Sequence, residues 1–123
     1  MVKKILIALS LSSLILLQSC RHDSVGIENQ PKVCFDEKIK PIFENNCNMS
    51  GCHGKNGEKY DFTTAKGILE AVSPYKPFES EAYNAITNSW DLMPPKPRLP
   101  LSKTQRTLIM VWISQGADTT HCQ

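Results

Sequence analysis

Seven consecutive residues, Cys47-Asn48-Met49-Ser50-Gly51-Cys52-His53, hold the densest reactive chemistry of the chain. Two thiols followed directly by an imidazole are what covalent attachment of a porphyrin requires. The thiols add to its two vinyl groups, and the histidine one residue later meets the iron from the same side. The commonest spacing is C-x-x-C-H; here it is C-x4-C-H, whose two extra residues must loop away. Asn48, Ser50 and Gly51 are small or polar enough to do so, and Gly54 permits close approach of backbone to a macrocycle. Two plainer readings stay open. Cys47 and Cys52 can close a short disulfide, which leaves His53 without a role. They can also join His53 around zinc, but a closed zinc site needs four ligands, and His22 and His121 offer no pair with metal-site spacing.

A haem iron held by histidine takes a second axial ligand, and methionine thioether raises the potential of an electron carrier. The chain has four methionines. Met1 belongs to the leading apolar segment, Met49 lies inside the attachment motif, and Met110 falls in an apolar helical pattern where packing is the default role. Met93 stands apart, in Trp90-Asp91-Leu92-Met93-Pro94-Pro95 with Pro97 close behind. Prolines remove backbone freedom, so this loop can hold a weak soft ligand against a metal at small entropic cost.

Helices must position these groups. Phe35, Ile39, Ile42 and Phe43 fall on one helical stripe, with Pro41 inside it to kink the helix or start a second turn. Ile68, Leu69 and Val72 predict a helix over Thr64–Val72, weakened by Gly67. Ala82, Tyr83 and Ile86 predict another over Glu81–Asn88, with Ser80 as its cap. Ser102-Lys103-Thr104-Gln105 is a capping box opening the clearest helix, which runs through apolar Leu108–Ile113 to Gly116. No useful period-two run occurs, so the expected fold class is all-α with long loops.

Residues 1–19 read as a signal peptide. Lys3 and Lys4 are followed by thirteen apolar or small residues, Ile5–Leu17, too few to span a bilayer comfortably. Leu17-Gln18-Ser19-Cys20 resembles a bacterial lipobox, in which the cysteine is lipidated and becomes the first mature residue. Residues 20–33 then read as a flexible tether and 34–123 as the domain, exported and lipid-anchored at a periplasmic face or the cell surface. The mature chain carries twelve basic and twelve acidic residues, which argues against a nucleic-acid binder. Its apolar residues number 38 of 104, about 37%. So lean a core points to a cofactor in the middle or a staple at the rim.

The strings Pro41-Ile42-Phe43-Glu44-Asn45-Asn46-Cys47, Cys52-His53-Gly54, Met93-Pro94-Pro95 and Trp112-Ile113-Ser114-Gln115-Gly116-Ala117 resemble those of single-haem class I c-type cytochromes, the small bacterial lipoprotein kind. The resemblance covers residues 34 to 122 and departs from the common pattern in the longer Cys47–Cys52 spacing. It implies a cytochrome c fold in which the first and last helices cross beside one covalent haem c, with Phe35, Ile39 and Phe43 meeting Leu108, Ile109 and Trp112. It implies thioethers to Cys47 and Cys52 and axial bonds from His53 and Met93. With Cys20 assigned to lipid and Cys47 and Cys52 to haem, Cys34 and Cys122 remain; they flank the two helices expected to cross, and a disulfide between them is expected in an oxidising compartment. Tyr60, Phe62, Trp90 and Leu92 flank the ligands and are candidates for the haem pocket. Lys55, Lys59 and Lys66 are either a solvated face or a ring that steers an acidic redox partner.

The function so implied is electron transfer between redox protein partners, with no substrate and no enzymatic step. Two rivals belong to other classes. A peroxidase-like haem enzyme needs an open iron and an acid–base residue over it, and only His22 and His121 are left for that. A cofactor-free, disulfide-stapled lipoprotein binding module needs neither haem nor His53.

Overall fold

The computed structural model describes residues 26–49, 51–57 and 59–122; the signal peptide expected at residues 1–19 and the expected lipid site Cys20 lie outside them. The described chain is helical, with no strand among its described residues. A π-helical turn, Phe35–Ile39, runs into α1, Lys40–Asn46; α2 is Ala65–Glu70, α3 is Glu81–Thr87 and α4 is Lys103–Ser114. Short 3-10 turns occupy Ile27–Asn29 and Pro77–Glu79.

Pro41 explains the change of helix type. The Lys40 N–H donates to the Phe35 carbonyl, a five-residue step, and Pro41 then falls in the first turn of α1, where a missing N–H costs nothing. The stripe is preserved through the change, since Phe35, Ile39, Ile42 and Phe43 are all buried.

The capping box of α4 forms as expected: Ser102 Oγ accepts from the Gln105 N–H at 3.2 Å, and Gln105 Oε1 accepts from the Ser102 N–H at 2.8 Å. At the other end Gly116, at φ 102°, donates to the Ile113 carbonyl while Ala117 donates to that of Trp112, closing a Schellman motif.

One local expectation is corrected. Ser80 does not cap α3. It is wholly buried, where its Oγ accepts from the Ser73 N–H at 2.8 Å and reaches the Lys76 carbonyl at 2.9 Å, bracing the turn between α2 and α3. Gly67 stands in α2 for a packing reason, because a Cβ there would lie 1.9 Å from the Asp61 carbonyl oxygen.

The core forms where the leading helical turn packs on α4. Phe35 meets Trp112 with ring centroids 5.6 Å apart, and Ile39, Ile109, Trp112 and Ile113 are fully enclosed. Both chain ends are bound to this contact. Trp112 Nε1 donates to the Asp118 carbonyl at 2.9 Å, Lys32 pairs with the Asp118 carboxylate at 2.8 Å, and Cys34 is disulfide-bonded to Cys122. The Val33 N–H donates to Gln115 Oε1, whose amide in turn donates to the Pro31 carbonyl. Docked backbone thus begins near Gln30, four residues before the boundary read from composition.

Truncating Phe35 to alanine removes one half of this contact and leaves a void against Trp112. We expect Phe35→Ala to cost about 3–5 kcal/mol, measured by denaturant unfolding of the oxidised protein. A loss under about 1 kcal/mol would move the centre of the core elsewhere.

Candidate functional site

The α1 helix delivers Cys47 to the core, its N–H donating to the Phe43 carbonyl at the last turn. Beyond it the chain reverses through a turn in which Cys52 N–H donates to the Met49 carbonyl at 2.9 Å and Gly51 takes φ 80°. Gly51 thus provides the left-handed residue by which the lengthened C-x4-C segment turns back. A second glycine fixes the next bend of the chain, since a Cβ on Gly57 would come within 1.9 Å of the Cys52 carbonyl oxygen.

His53 is oriented from three directions. Its carbonyl accepts from the Phe62 N–H at 2.8 Å, and its ring stacks on Phe62 with centroids 4.5 Å apart. Its Nδ1 lies 2.6 Å from the Lys59 carbonyl. A carbonyl only accepts, so Nδ1 carries the proton and, in the neutral ring, Nε2 carries the lone pair. This is the arrangement found for metal-bound histidines generally, where the second nitrogen is tied to an acceptor.

Glu81, the first residue of α3, clamps the same loop from across the cavity. It accepts from both Lys59 Nζ and the Tyr60 hydroxyl. A carboxylate in the first turn of a helix also suits the helix dipole. Sequence reasoning missed Glu81, whose only signal was its place beside the presumed cap.

Met93 arrives from the opposite side of the sequence. Its N–H donates to the Ala85 carbonyl at 2.9 Å, which fastens the proline-rich loop to α3, and its side chain packs half-buried on the core. Cys47, Cys52, His53 and Met93 line one cavity of about 540 Å³ together with Phe43 and Phe62. That volume falls among those of small-molecule and cofactor sites, about 300–1,000 Å³. Lys59 and Arg98 add two cations to its lining.

Tyr60 and Phe62 also line the cavity; Trp90 and Leu92 do not. Trp90 is 95% exposed, a correction to its expected pocket role. Its N–H is held by the Asn88 side chain in a turn just after α3, which carries the indole into solvent. Leu92 is half-buried away from the cavity lining. Met110 packs against the core and does not line the cavity. Lys59 pairs with Glu81 and Lys66 with Glu70, while Lys55 is exposed. His121 sits at the surface 2.8 Å from Asp36.

Cys47 and Cys52 are not bonded to one another. Burial pushes the Cys47 thiol up to about 11, so it stays protonated at neutral pH, unlike a nucleophilic or redox-sensing cysteine. Among the described residues no three His, Cys, Asp or Glu side chains converge on a point that would hold a bare metal ion. Comparison with family models, with curated proteins and with solved structures finds no match to this chain.

The Glu81 clamp has a defined pH window. Hydrogen bonds from Lys59 and Tyr60 hold the Glu81 carboxyl below its usual range, and the bond to Glu81 holds the Lys59 ammonium above its own. A depressed carboxylate stabilises above its unfolded-state pKa and loses that as pH falls; a raised ammonium stabilises below its unfolded-state pKa and loses that as pH rises. The clamp is thus complete between about pH 5 and pH 10. Tyr60 ring resonances should hold steady across that window and shift on acidification below about pH 4, and Glu81→Gln should abolish the acid transition. A transition that persists in the variant belongs to another group.

Proposed function

We propose that the chain is a single-haem c-type cytochrome, exported and tethered to a membrane through Cys20, that passes single electrons between protein partners. One observation carries the reading: two cysteines, the histidine directly after them and a methionine forty residues later line the same cavity.

The residues present suit the group. Phe43 and Phe62 give apolar, aromatic walls, steeply inclined to one another with centroids 5.0 Å apart. Arg98 supplies a cation for a carboxylate that such a macrocycle bears, Lys59 being already paired with Glu81. Cys47 and Cys52 would hold it through thioethers, with His53 and Met93 as the axial pair. Haem bound there supplies a one-electron Fe(III)/Fe(II) couple.

The chain's own part is to hold those ligands still. Donation from Nδ1 to Lys59 keeps the His53 ring in one tautomer and makes its other nitrogen more basic. The Ala85 contact and the prolines at 94, 95 and 97 restrain Met93, so a weak thioether does not have to be ordered anew. Two axial ligands leave no position for substrate, which favours electron carriage over a peroxidase-like activity. Contact of the leading helical turn with α4 suits the terminal-helix crossing of the cytochrome c fold. The Cys34–Cys122 bridge suits an oxidising compartment such as the periplasm.

Two experiments test the assignment. With Cys47→Ala and Cys52→Ala combined, haem should no longer stain with the protein on a denaturing gel, because no thioether can form; retained staining overturns the attachment. In Met93→Ala the ferric methionine–iron charge-transfer band should vanish, added imidazole should bind readily, and the midpoint potential should fall, since thioether ligation raises it. Met110→Leu should leave the spectrum unchanged and cost under about 1.5 kcal/mol. The reverse pattern would make Met110 the ligand.

A further inference from the structure

A second concavity, about 550 Å³, shares no lining residue with the first. Its walls are Ile27, Tyr75, Pro77 and Phe78, with Lys76 and Glu79 paired at 3.0 Å beside them. Phe78 is 73% exposed and Tyr75 72%, an aromatic strip on a chain with few aromatic residues.

The backbone is shaped to present this strip. Tyr75 sits at φ 66°, a left-handed conformation that a bulky side chain rarely adopts. Its N–H donates to the Ile113 carbonyl at 2.8 Å. The ring lies over Gly116, where a Cβ would come within 2.7 Å of it. Strain held by surrounding structure is the mark of a position with a task.

The nearness of Ile27 to Cys20 along the chain indicates what meets the strip. Ile27 lines the groove seven residues after Cys20. Seven residues reach at most about 25 Å when fully extended. A lipid on Cys20 therefore keeps this groove within that distance of a bilayer surface, whatever path residues 21–26 take. Aromatic rings are enriched at such interfaces, where one end is apolar and the other wet, and a lysine stem can lie along apolar surface with its head in water.

We propose that the Tyr75–Phe78 groove is the face on which the tethered domain rests against the lipid–water interface, with the Tyr75 and Phe78 rings entering the headgroup layer. This rests on the reading of Cys20 as the lipid anchor. Because Lys76 is paired with Glu79, adhesion draws on apolar contact rather than on anionic lipid, and it is insensitive to salt. None of the residues lining the haem-type cavity is consumed by this contact.

The test uses full-length protein purified from membranes and reconstituted into phosphatidylethanolamine–phosphatidylglycerol vesicles doped with a photoactivatable diazirine phospholipid. After illumination, adduct sites are assigned by fragmentation mass spectrometry, and the same digest reports whether Cys20 carries diacylglycerol. Adducts should concentrate on residues 75–78 at least threefold over Trp90 and Leu99, which are more exposed and serve as internal controls. Phe78→Ser should lower the yield at that site at least threefold, and raising the salt should not. Equal labelling of both regions overturns the proposal, and so does an unlabelled strip on an acylated protein, as when a second copy or a protein partner covers it. If Cys20 carries no lipid, the anchor reading fails separately; labelling of residues 75–78 then supports the docking face by itself, and its absence removes both.

Discussion

The indole of Trp112 is the fixed point of this molecule. It is wholly enclosed, packs on Phe35, and gives its only side-chain hydrogen-bond donor to the Asp118 carbonyl. One side chain thereby joins the first helical turn, the last helix and the tail beyond it. Residues 20–123 are only about 37% apolar and cannot spread such contacts widely. The contacts concentrate where Phe35–Ile39 meets α4, and the thinner α2–α3 region is held by attachments to that centre. The Tyr75 N–H donates to Ile113 of α4 and its ring lies against Gly116, while the Ala82 N–H ties α3 to the end of α2 at Ala71. What the core leaves open on its other flank is the cavity of Cys47, Cys52, His53 and Met93.

That cavity is built by fastening loops to α3 rather than by packing helices round it. Glu81 at the start of the helix holds Lys59 and Tyr60, and Ala85 further along holds Met93. The histidine and the methionine thus take their places relative to one short helix. Pieces this short have little stability of their own. The site consequently depends on the buried hydroxyl of Ser80, which bonds the turn that leads into α3.

Much of this was legible in the amino-acid order. The C-x4-C-H string, the Met-Pro-Pro loop, the α4 capping box and the cysteines at 34 and 122 are local or compositional signals that need no third dimension to be seen. The helical stripe of Phe35 to Phe43 was also visible, but the π-helical turn that carries its first half was not. A shift from four-residue to five-residue bonding leaves almost no trace in hydrophobic spacing. The role of Ser80 was misjudged and that of Glu81 missed. A serine before an acidic residue has the form of a cap, and only burial reveals that the hydroxyl serves another turn. Trp90 failed for the opposite reason. Its neighbour Met93 reaches the cavity, and adjacency in a loop says nothing of which way each side chain faces once a turn intervenes. That Met93 shares a cavity with His53 was suggested by residue type, the proline-rich loop and the family resemblance, because no periodicity spans the irregular chain between α3 and α4.

The bond between Cys34 and Cys122 gives the molecule a mechanical character. It lies at the two margins of the folded region, with Lys32–Asp118 and the Gln115 contacts beside it as a parallel set of weaker ties. Tension between the leading segment and the tail passes from Cys34 directly to Cys122 through one covalent link. The 87 residues between them form a closed loop that carries none of the load. A domain with such a link can be pulled by its ends without the loops of His53 and Met93 being drawn apart.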